Sequence, residues 1–141
     1  MRKIKQLLEN FNTLYIEEYK TTWVKTKLST ADDLLMVAKA LKEHGLRTIA
    51  TVSPTDFLEE NVIEMNYFFE DLMTNRNCWL KCDVPRELDE CEIESLTPLF
   101  KGANWHEREA YSMFGVRFLN HPDLRPIIVS QDFYDKTPFR K

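Results

Sequence analysis

Glycine is scarce in this sequence, with three residues among 141. Phosphate-binding loops and nucleophile elbows depend on closely spaced glycines, which let the backbone turn tightly beside a ligand. No glycine-rich dinucleotide motif, Walker-type loop or nucleophile elbow occurs in the chain. The sequence therefore disfavours nucleotide binding and elbow-type hydrolysis.

Long apolar runs are also missing. No stretch approaches the roughly 20 apolar residues that a membrane-spanning helix requires. The basic start of the chain is followed by polar residues such as Gln6 and Glu9 instead of an unbroken apolar core, which is unlike a signal peptide. We expect no direct membrane span, so any association with a membrane would run through partner proteins.

An excess of positive charge is missing as well. The chain has 19 Lys and Arg against 23 Asp and Glu, a formal net charge of −4. Affinity for nucleic acid depends on neutralising phosphates with clustered basic side chains. An acidic chain without a basic stripe predicts no nucleic-acid partner.

Cysteine is limited to Cys78, Cys82 and Cys91. An odd number of cysteines without an export signal predicts reduced thiols. Their spacing matches no common zinc or iron–sulfur motif, so we expect no metal site in this chain. A different class of function, a free-standing small enzyme that uses a cysteine with a histidine, remains as an alternative, although no local spacing supports it.

Size and hydrophobic patterning predict one α+β domain. Apolar spacing of three and four residues predicts helices, and β-branched or aromatic runs predict strands. The predicted helices cover residues 3–11 and a segment that begins at Ser29 or Thr30 and ends at Gly45. The predicted strands cover 21–28, 46–52, 61–69 and 78–84. We expect a mixed or antiparallel sheet of about four strands, with helices on one face.

Four local features carry separate predictions. Trp23 is expected on the lysine-bearing face of its strand, either exposed or covered by another element or subunit. His44 is expected to cap the second helix before Gly45. Pro54 is expected to end the second strand, and the acidic segment 83–94 is expected to be a solvated, mobile loop.

The most informative segment is the predicted helix from Asn104 to Gly115. Asn104 is a favoured N-cap residue, Glu107 stands where it would complete a capping box, and Gly115 suits the position after the last turn. Glu107, Arg108 and Glu109 form a charged triplet among bulky apolar residues. Buried charges need partners, so we expect partners for all three; the alternative is a solvated helix edge.

The charged triplet begins a longer pattern. It reads Glu107-Arg-Glu-x-x-Ser-Met-Phe, then six residues, His121, three residues, Arg125, one residue and Ile127-Ile128. This pattern resembles the signature of the thirty-kilodalton subunit family of respiratory complex I, which also supplies a subunit to energy-converting membrane hydrogenases. Residues 95–103 resemble the family's lead-in and residues 132–141 its closing segment. Ser112 departs from the pattern, because the family has an acidic residue there.

The resemblance implies a non-catalytic structural and assembly subunit in the hydrophilic arm of a membrane-bound, energy-converting NiFe hydrogenase that is ferredoxin-linked, proton-reducing and ion-pumping. The NiFe centre and the iron–sulfur clusters are expected only in partner subunits, a large NiFe-hydrogenase-like subunit and a small iron–sulfur subunit. The expected location is peripheral, at the cytoplasmic face of the cell membrane. The alternative is the equivalent subunit of a quinone-reducing complex I; the short course of the chain after the closing motif favours the hydrogenase.

The same resemblance implies a division of the chain and a contact surface. Residues 1–115 are predicted to form the α+β domain that ends in the signature helix, and residues 116–141 an extended C-terminal tail that docks on a partner subunit. Pro122 and Pro126 favour an extended course there. No catalytic, cofactor-binding or metal-binding residue is assigned. The candidate partner-contact residues are Glu107, Arg108, Glu109, His121, Asp123 and Arg125.

Overall fold

The computed structural model describes residues 2–126 and residue 140, and for residues 19 and 20 it describes the backbone alone. Ten helices and strands and a short 3₁₀ turn lie within this part of the chain. The helices are α1 (Arg2–Leu8), α2 (Leu34–Glu43) and α3 (Ala103–Phe114), and the 3₁₀ turn spans Ala31–Asp33. The strands are β1 (Thr13–Lys20), β2 (Trp23–Leu28), β3 (Thr48–Phe57), β4 (Val62–Asp71), β5 (Arg76–Pro85), β6 (Glu92–Glu94) and β7 (Arg117–Leu119).

Five strands form one mixed sheet in the order β1-β2-β5-β4-β3. The central strands β2 and β5 are parallel, and the other neighbouring pairs are antiparallel. A parallel pair needs a long crossover connection, which α2 and the β3–β4 hairpin supply. The predicted α+β class and mixed sheet are confirmed, with five strands because β1 was not predicted.

The core lies between the sheet and the helices. Every second side chain of β2 is buried, which matches the predicted alternation. Phe69 of β4 packs edge to face against Phe100, with 5.3 Å between the ring centroids. Tyr67, Leu41 and Leu80 are also fully buried. Burying each such side chain contributes about 1.5–3 kcal/mol before the entropy cost of ordering it.

The second helix has the ends that the sequence predicts. The Thr30 side chain accepts a hydrogen bond from the Asp32 amide, at 3.3 Å, and caps the 3₁₀ turn that leads into α2. His44 Nδ1 lies 2.9 Å from the Ala40 carbonyl oxygen, and Gly45 has a φ of 103°. The predicted capping role of His44 is confirmed.

The prediction that Pro54 ends the second strand is wrong. Pro54 lies inside β3 and pairs with Met65 of β4. It is tolerated because β3 is at the edge of the sheet, where a missing amide hydrogen on the outer side removes no ladder hydrogen bond.

The acidic segment 83–94 is only partly the solvated loop that its charge predicts. Cys91 and Ile93 are buried in the core, and β6 pairs in parallel with β7. The exposed acidic residues in the middle of this segment lie at positions 87–90. These two buried side chains help to fix the second half of the segment to the domain, although its composition is typical of a loop.

The sheet face opposite the helices carries a network of paired charges. Glu64 accepts hydrogen bonds from Lys27 Nζ at 2.8 Å and from Lys81 Nζ at 3.0 Å. Lys27 Nζ also lies 3.1 Å from Asp83. Burial raises the pKa of Glu64, but the two lysines outweigh it and hold that pKa below its usual value. The network lets these four charges share a partly buried face.

Aromatic rings line the same open face. The Trp23 ring meets Phe68 edge to face, with centroids 6.2 Å apart, and Phe68 stacks on Trp79 at 5.2 Å. Lys25 and Lys81 place their ammonium groups over the Trp79 ring, 4.4 and 4.6 Å from its centroid. Of the two alternatives for Trp23, the structure supports a contact with another element, namely β4.

Candidate partner interface

The two ends of helix α3 differ in how well the sequence predicts them. The residue before the helix is Gly102, which makes no side-chain capping bond, so the predicted N-cap at Asn104 and the capping box are wrong. At the other end Gly115 has a φ of 77° and donates its amide to the Tyr111 carbonyl at 3.0 Å. The predicted C-terminal glycine is confirmed. The capping box fails because the Glu107 carboxylate is used elsewhere.

Glu107 is fully buried and joins α3 to the segment before it. Its Oε1 accepts hydrogen bonds from Ser95 Oγ at 2.7 Å and Thr97 Oγ1 at 2.5 Å. Its Oε2 accepts one from the Leu96 amide at 2.8 Å. Three donors to one carboxylate replace the water that it loses on burial, which makes a buried charge tolerable.

His121 completes the same enclosed cluster. Its side chain is fully buried, and its Nε2 lies 3.8 Å from Glu107 Oε1. The Asp123 amide donates a hydrogen bond to Nδ1 at 2.9 Å. Nε2 is the ring nitrogen nearest the carboxylate. The burial of His121 places the loop after β7 against α3.

Burial corrects the predicted contact surface at two of its six residues. The side chains of Glu107 and His121 are enclosed by the domain itself, so neither is available to a partner. The physical reason is that a carboxylate with three internal donors is held where those donors are, under the helix. Both residues position the surface and do not form it.

The other four residues are exposed or half-buried, and three of them, Arg108, Asp123 and Arg125, are in contact. The Arg125 and Asp123 side chains are 68% and 52% exposed and pair at 2.7 Å. Arg108 is half-buried, and its Nε donates to the Arg125 carbonyl at 3.3 Å. Glu109 is exposed, and within the described part of the chain it has no ion pair. We call Arg108, Glu109, Asp123 and Arg125, together with Trp105, the signature surface.

Trp105 belongs to this surface although the sequence did not suggest it. Its side chain is 48% exposed, and the Arg108 guanidinium lies 6.0 Å from its ring centroid. The sequence signal that could have identified it is a tryptophan in the first turn of the predicted helix, three residues before Arg108. Tryptophan and arginine are the residue types most enriched at energetically important interface positions.

Ser95 and Thr97 were also missed as partners of Glu107. Both are buried hydroxyl residues in a segment that is otherwise largely apolar. Two hydroxyls so close together in such a segment need an acceptor, which is the signal for a buried polar partner. Ser112 is buried on another part of α3, where a carboxylate would need donors of its own.

The predicted boundary between domain and tail at Gly115 does not separate two structural regions. Val116 and Phe118 are buried in the core, and β7 pairs with β6. The described chain therefore stays part of the domain beyond the signature helix. Of the predicted tail, residues 127–139 and 141 lie outside the described residues. Its docking on a partner therefore stays a prediction.

A second polar pair lies near the end of β3. Asp56 is buried and accepts two hydrogen bonds from Arg86, from Nε to Oδ1 at 2.7 Å and from Nη2 to Oδ2 at 3.1 Å.

Strand β3 and helix α3 are also in contact. Thr51 Oγ1 lies 3.5 Å from His106 Nδ1, which links β3 to α3. A shallow cleft of about 260 Å³ runs between the same two elements, beside Glu109 of the signature surface.

The three cysteines have the chemistry of core residues. Burial raises the pKa of Cys78 to about 12, and it also raises the pKa values of Cys82 and Cys91. Thiolates, which bind metals and attack substrates, are therefore disfavoured. Within residues 2–126 and 140, no group of three or more His, Cys, Asp and Glu side chains is arranged to hold a metal ion. No helix in the described part is long and apolar enough to span a membrane.

Comparison with known proteins identifies the family. Residues 28–141 match the family described as respiratory-chain NADH dehydrogenase, 30 Kd subunit. A subunit of the F(420)H(2) dehydrogenase of Methanosarcina mazei is 34% identical over 93 residues, which cover 66% of this chain and 58% of that protein. A subunit of the NADH-quinone oxidoreductase of Geotalea uraniireducens is 30% identical over 141 residues, which cover 99% of this chain and 85% of that protein.

The fold has a close match among solved structures. A chain of the membrane-bound sulfane sulfur reductase, an archaeal respiratory membrane complex, superimposes with a TM-score of 0.90 at 21% identity, covering 99% of this chain and 82% of that chain. The matched region spans less than two thirds of some curated relatives, such as the Methanosarcina mazei protein. The extent of the family match, which includes the whole signature, leads to one conclusion: the chain belongs to the family of the 30 Kd subunit of respiratory-chain NADH dehydrogenase.

Proposed function

We propose that this chain is a structural and assembly subunit of a membrane-bound, energy-converting redox complex, and that it contacts a larger partner through the signature surface. One observation carries the proposal: Glu107 joins α3 to the segment before it and has the buried His121 side chain of the loop after β7 beside it, and four charged residues of the signature lie exposed or half-buried around this cluster. A fixed, charged surface with an exposed tryptophan suits specific docking.

The proposed role is positional, without chemistry of its own. The redox centres, a NiFe centre and iron–sulfur clusters, would lie in the large and small partner subunits. The raised pKa values of the three thiols support this part of the proposal, because protonated cysteines are poor metal ligands. The complex would hold the chain at the cytoplasmic face of the membrane through its partners.

The finer proposal concerns which complex the chain serves. The signature is shared with subunits of energy-converting NiFe hydrogenases, and we propose that role first. A quinone-reducing complex is the second candidate, and a specific observation favours it: the relative that is 30% identical over 141 residues has the name of an NADH-quinone oxidoreductase protein. The two candidates predict the same contact surface and differ in the partner's active site.

Purification from native membranes tests the proposal. The chain would carry an affinity tag at its N-terminus, membranes would be solubilised gently, and co-purifying proteins would be identified by mass spectrometry. We expect a large NiFe-hydrogenase-like subunit together with iron–sulfur and membrane subunits. Hydrogen evolution by the purified complex would support the hydrogenase, and quinone reduction would support the second candidate.

Two results would contradict the assembly role. One is recovery of the tagged chain alone under conditions that keep other membrane complexes intact. The other is an enzymatic activity of the isolated chain that disappears in a Cys78→Ser or Cys82→Ser variant, as the free-standing enzyme alternative requires. If the chain is an assembly subunit, Cys78→Ser leaves recovery of the complex unchanged.

A further inference from the structure

A shallow cleft opens between the start of helix α2 and the small sheet of β6 and β7. Its volume is about 270 Å³. The whole of β6 and the end of β7 line one side, and the 3₁₀ turn and the first turn of α2 line the other. This cleft is separate from the one between β3 and α3, with which it shares no lining residue.

Apolar side chains form one part of the lining. Ile93 is buried, Leu35 is half-buried, and Leu119 is 41% exposed. Met36, the residue after Leu35, is 60% exposed. Removing apolar surface from water is favourable by about 25 cal/mol per Å². Covering these side chains would therefore contribute to binding.

Carboxylates form the other part of the lining. Glu92 pairs with Arg117 Nη2 at 3.2 Å. Glu94 accepts a hydrogen bond from the uncharged Asn120 side chain at 2.7 Å, and Asp32 is exposed. Among the described residues, neither Asp32 nor Glu94 has an ion pair. Two negative charges are thus uncompensated, and we call this site the acidic cleft.

The acidic cleft does not suit a metal ion or a small molecule. Its carboxylates are not among any group of side chains in the described chain that could hold a metal ion. Small-molecule sites are usually larger, about 300–1,000 Å³, and have convergent polar groups in an enclosed pocket. The carboxylates here are exposed or half-buried instead. A protein segment is the better match.

The chemistry of the lining indicates what kind of segment fits. Opposite charges steer association and fix the orientation of docking, so the uncompensated carboxylates favour a basic partner. The exposed apolar side chains favour apolar residues beside those basic ones. Strand β6 has β7 as its one strand neighbour in the described chain, which leaves its other side open to an extended segment.

We propose that the acidic cleft is a second docking site, which accepts a partner segment that has arginine or lysine beside apolar residues. Leu119 is the last residue of β7 and directly precedes the loop that contains Asp123 and Arg125 of the signature surface. The two sites are therefore connected by a few residues of chain. This inference rests on the proposed assembly function and adds a contact with its own recognition chemistry.

Photocrosslinking in the native complex tests the site. The tagged chain would carry the photoreactive amino acid p-benzoylphenylalanine in place of Leu119. The control chain would carry it in place of Leu72, which is 74% exposed in the turn after β4. After irradiation of native membranes and purification, crosslinked peptides would be identified by mass spectrometry. We expect position 119 to crosslink to a partner segment that contains lysine or arginine, and position 72 not to crosslink to that segment.

Charge reversal tests the recognition chemistry. The chain with the crosslinker at position 119 would also carry Asp32→Lys and Glu94→Lys. The matched control carries Glu43→Lys and Glu90→Lys, which change the net charge equally at exposed positions outside the lining. We expect the first pair to reduce the adduct several-fold and the control to leave it unchanged. Urea midpoints of the isolated chains check folding, and Asp32→Asn replaces the double variant if that variant is destabilised.

Three results would overturn the acidic cleft as a docking site. One is an intact complex in which position 119 gives no adduct. Another is an adduct to a segment without basic residues, to a second copy or within the chain itself. The third is an equal loss of adduct in the charge-reversal variant and its control. If the tagged wild type recovers no partner, the assembly function is contradicted and this site with it, whereas an intact complex without the adduct contradicts the site alone.

Discussion

Two parts of one signature have opposite environments. The side chains of Glu107 and His121 are completely enclosed, whereas Asp123 and Arg125 are exposed and Arg108 is half-buried. Successive residues of a helix point about 100° apart, so neighbours in sequence reach different surroundings. A contiguous motif can therefore combine a part that holds the fold with a part that is free to bind.

The energetic expectation differs between the two parts. A buried carboxylate with three donors cannot lose its place without leaving those donors unsatisfied. An exposed pair such as Asp123 with Arg125 contributes little to folding, because water screens it and two long side chains must be ordered. Stability measurements should therefore be sensitive to the enclosed part, and binding measurements to the exposed part.

Replacing Glu107 with alanine should have the largest effect on folding. The change leaves Ser95 Oγ, Thr97 Oγ1 and the Leu96 amide without their buried acceptor, and we expect the free energy of unfolding to fall by about 3 kcal/mol or more. Urea unfolding of the isolated chain measures this fall in the free energy of unfolding. Glu109→Ala, two positions along the same helix, is the control and should change stability by about 0.5 kcal/mol or less. Equal effects would remove the distinction between the two parts.

The pH dependence of Asp71 extends the contrast to another carboxylate with several donors. Hydrogen bonds from Thr74 and Arg76 hold the pKa of Asp71 well below its ordinary value of 3.8. A depressed pKa contributes stability above the ordinary pKa, and that contribution is lost as the pH falls through the folded value. We expect wild type to be more stable than Asp71→Asn at pH 7 and the difference to shrink below about pH 4.

Unfolding midpoints of the two proteins between pH 7 and pH 2 provide the measurement. The sign is the informative part, since a carboxylate with a raised pKa would give a difference that grows on acidification. A difference that stays constant down to pH 2 would show that the hydrogen bonds at this hairpin turn do not depend on the ionised carboxylate.

Removing the Tyr67 hydroxyl has the smallest predicted effect on stability. It tests whether every buried polar group near Glu107 contributes to the free energy of unfolding. Burial, with smaller contributions from Cys82 and Glu107, raises the pKa of Tyr67 well above its ordinary value. In the described part of the chain its hydroxyl has no hydrogen-bond partner. We expect Tyr67→Phe to leave the unfolding free energy unchanged or to raise it by about 1 kcal/mol at most. A clear loss of stability in urea unfolding would mean that the hydroxyl has a structural partner.

Sequence patterns predict the class of the fold because most elements have clear periodicity. The residues that begin and end helix α2 can both be recognised in the sequence, and β2 alternates half-buried and buried residues. Strand β1 was missed because Glu17 and Glu18 interrupt any apolar alternation on an edge strand. Local composition cannot show that a neighbouring strand will supply the pairing.

The candidate site divides in the same way. The identity of its residues follows from the pattern, but their burial does not, because Glu107 acquires its donors from Ser95, Leu96 and Thr97, which lie 10 to 12 positions earlier in the chain. The capping box is the local solution for this glutamate. The long-range solution is more stable because it offers three hydrogen bonds inside the core.

The most direct test of the central distinction is recovery of the membrane complex with an Arg108→Glu chain, at matched expression and with Lys39→Glu as an exposed control on α2. The charge reversal should leave the urea midpoint of the isolated chain near that of wild type, because the contacts that Arg108 makes with the described residues are at the surface. We predict that the large subunit is lost from the purified Arg108→Glu material and retained with Lys39→Glu. Full recovery of the large subunit with Arg108→Glu would contradict the account.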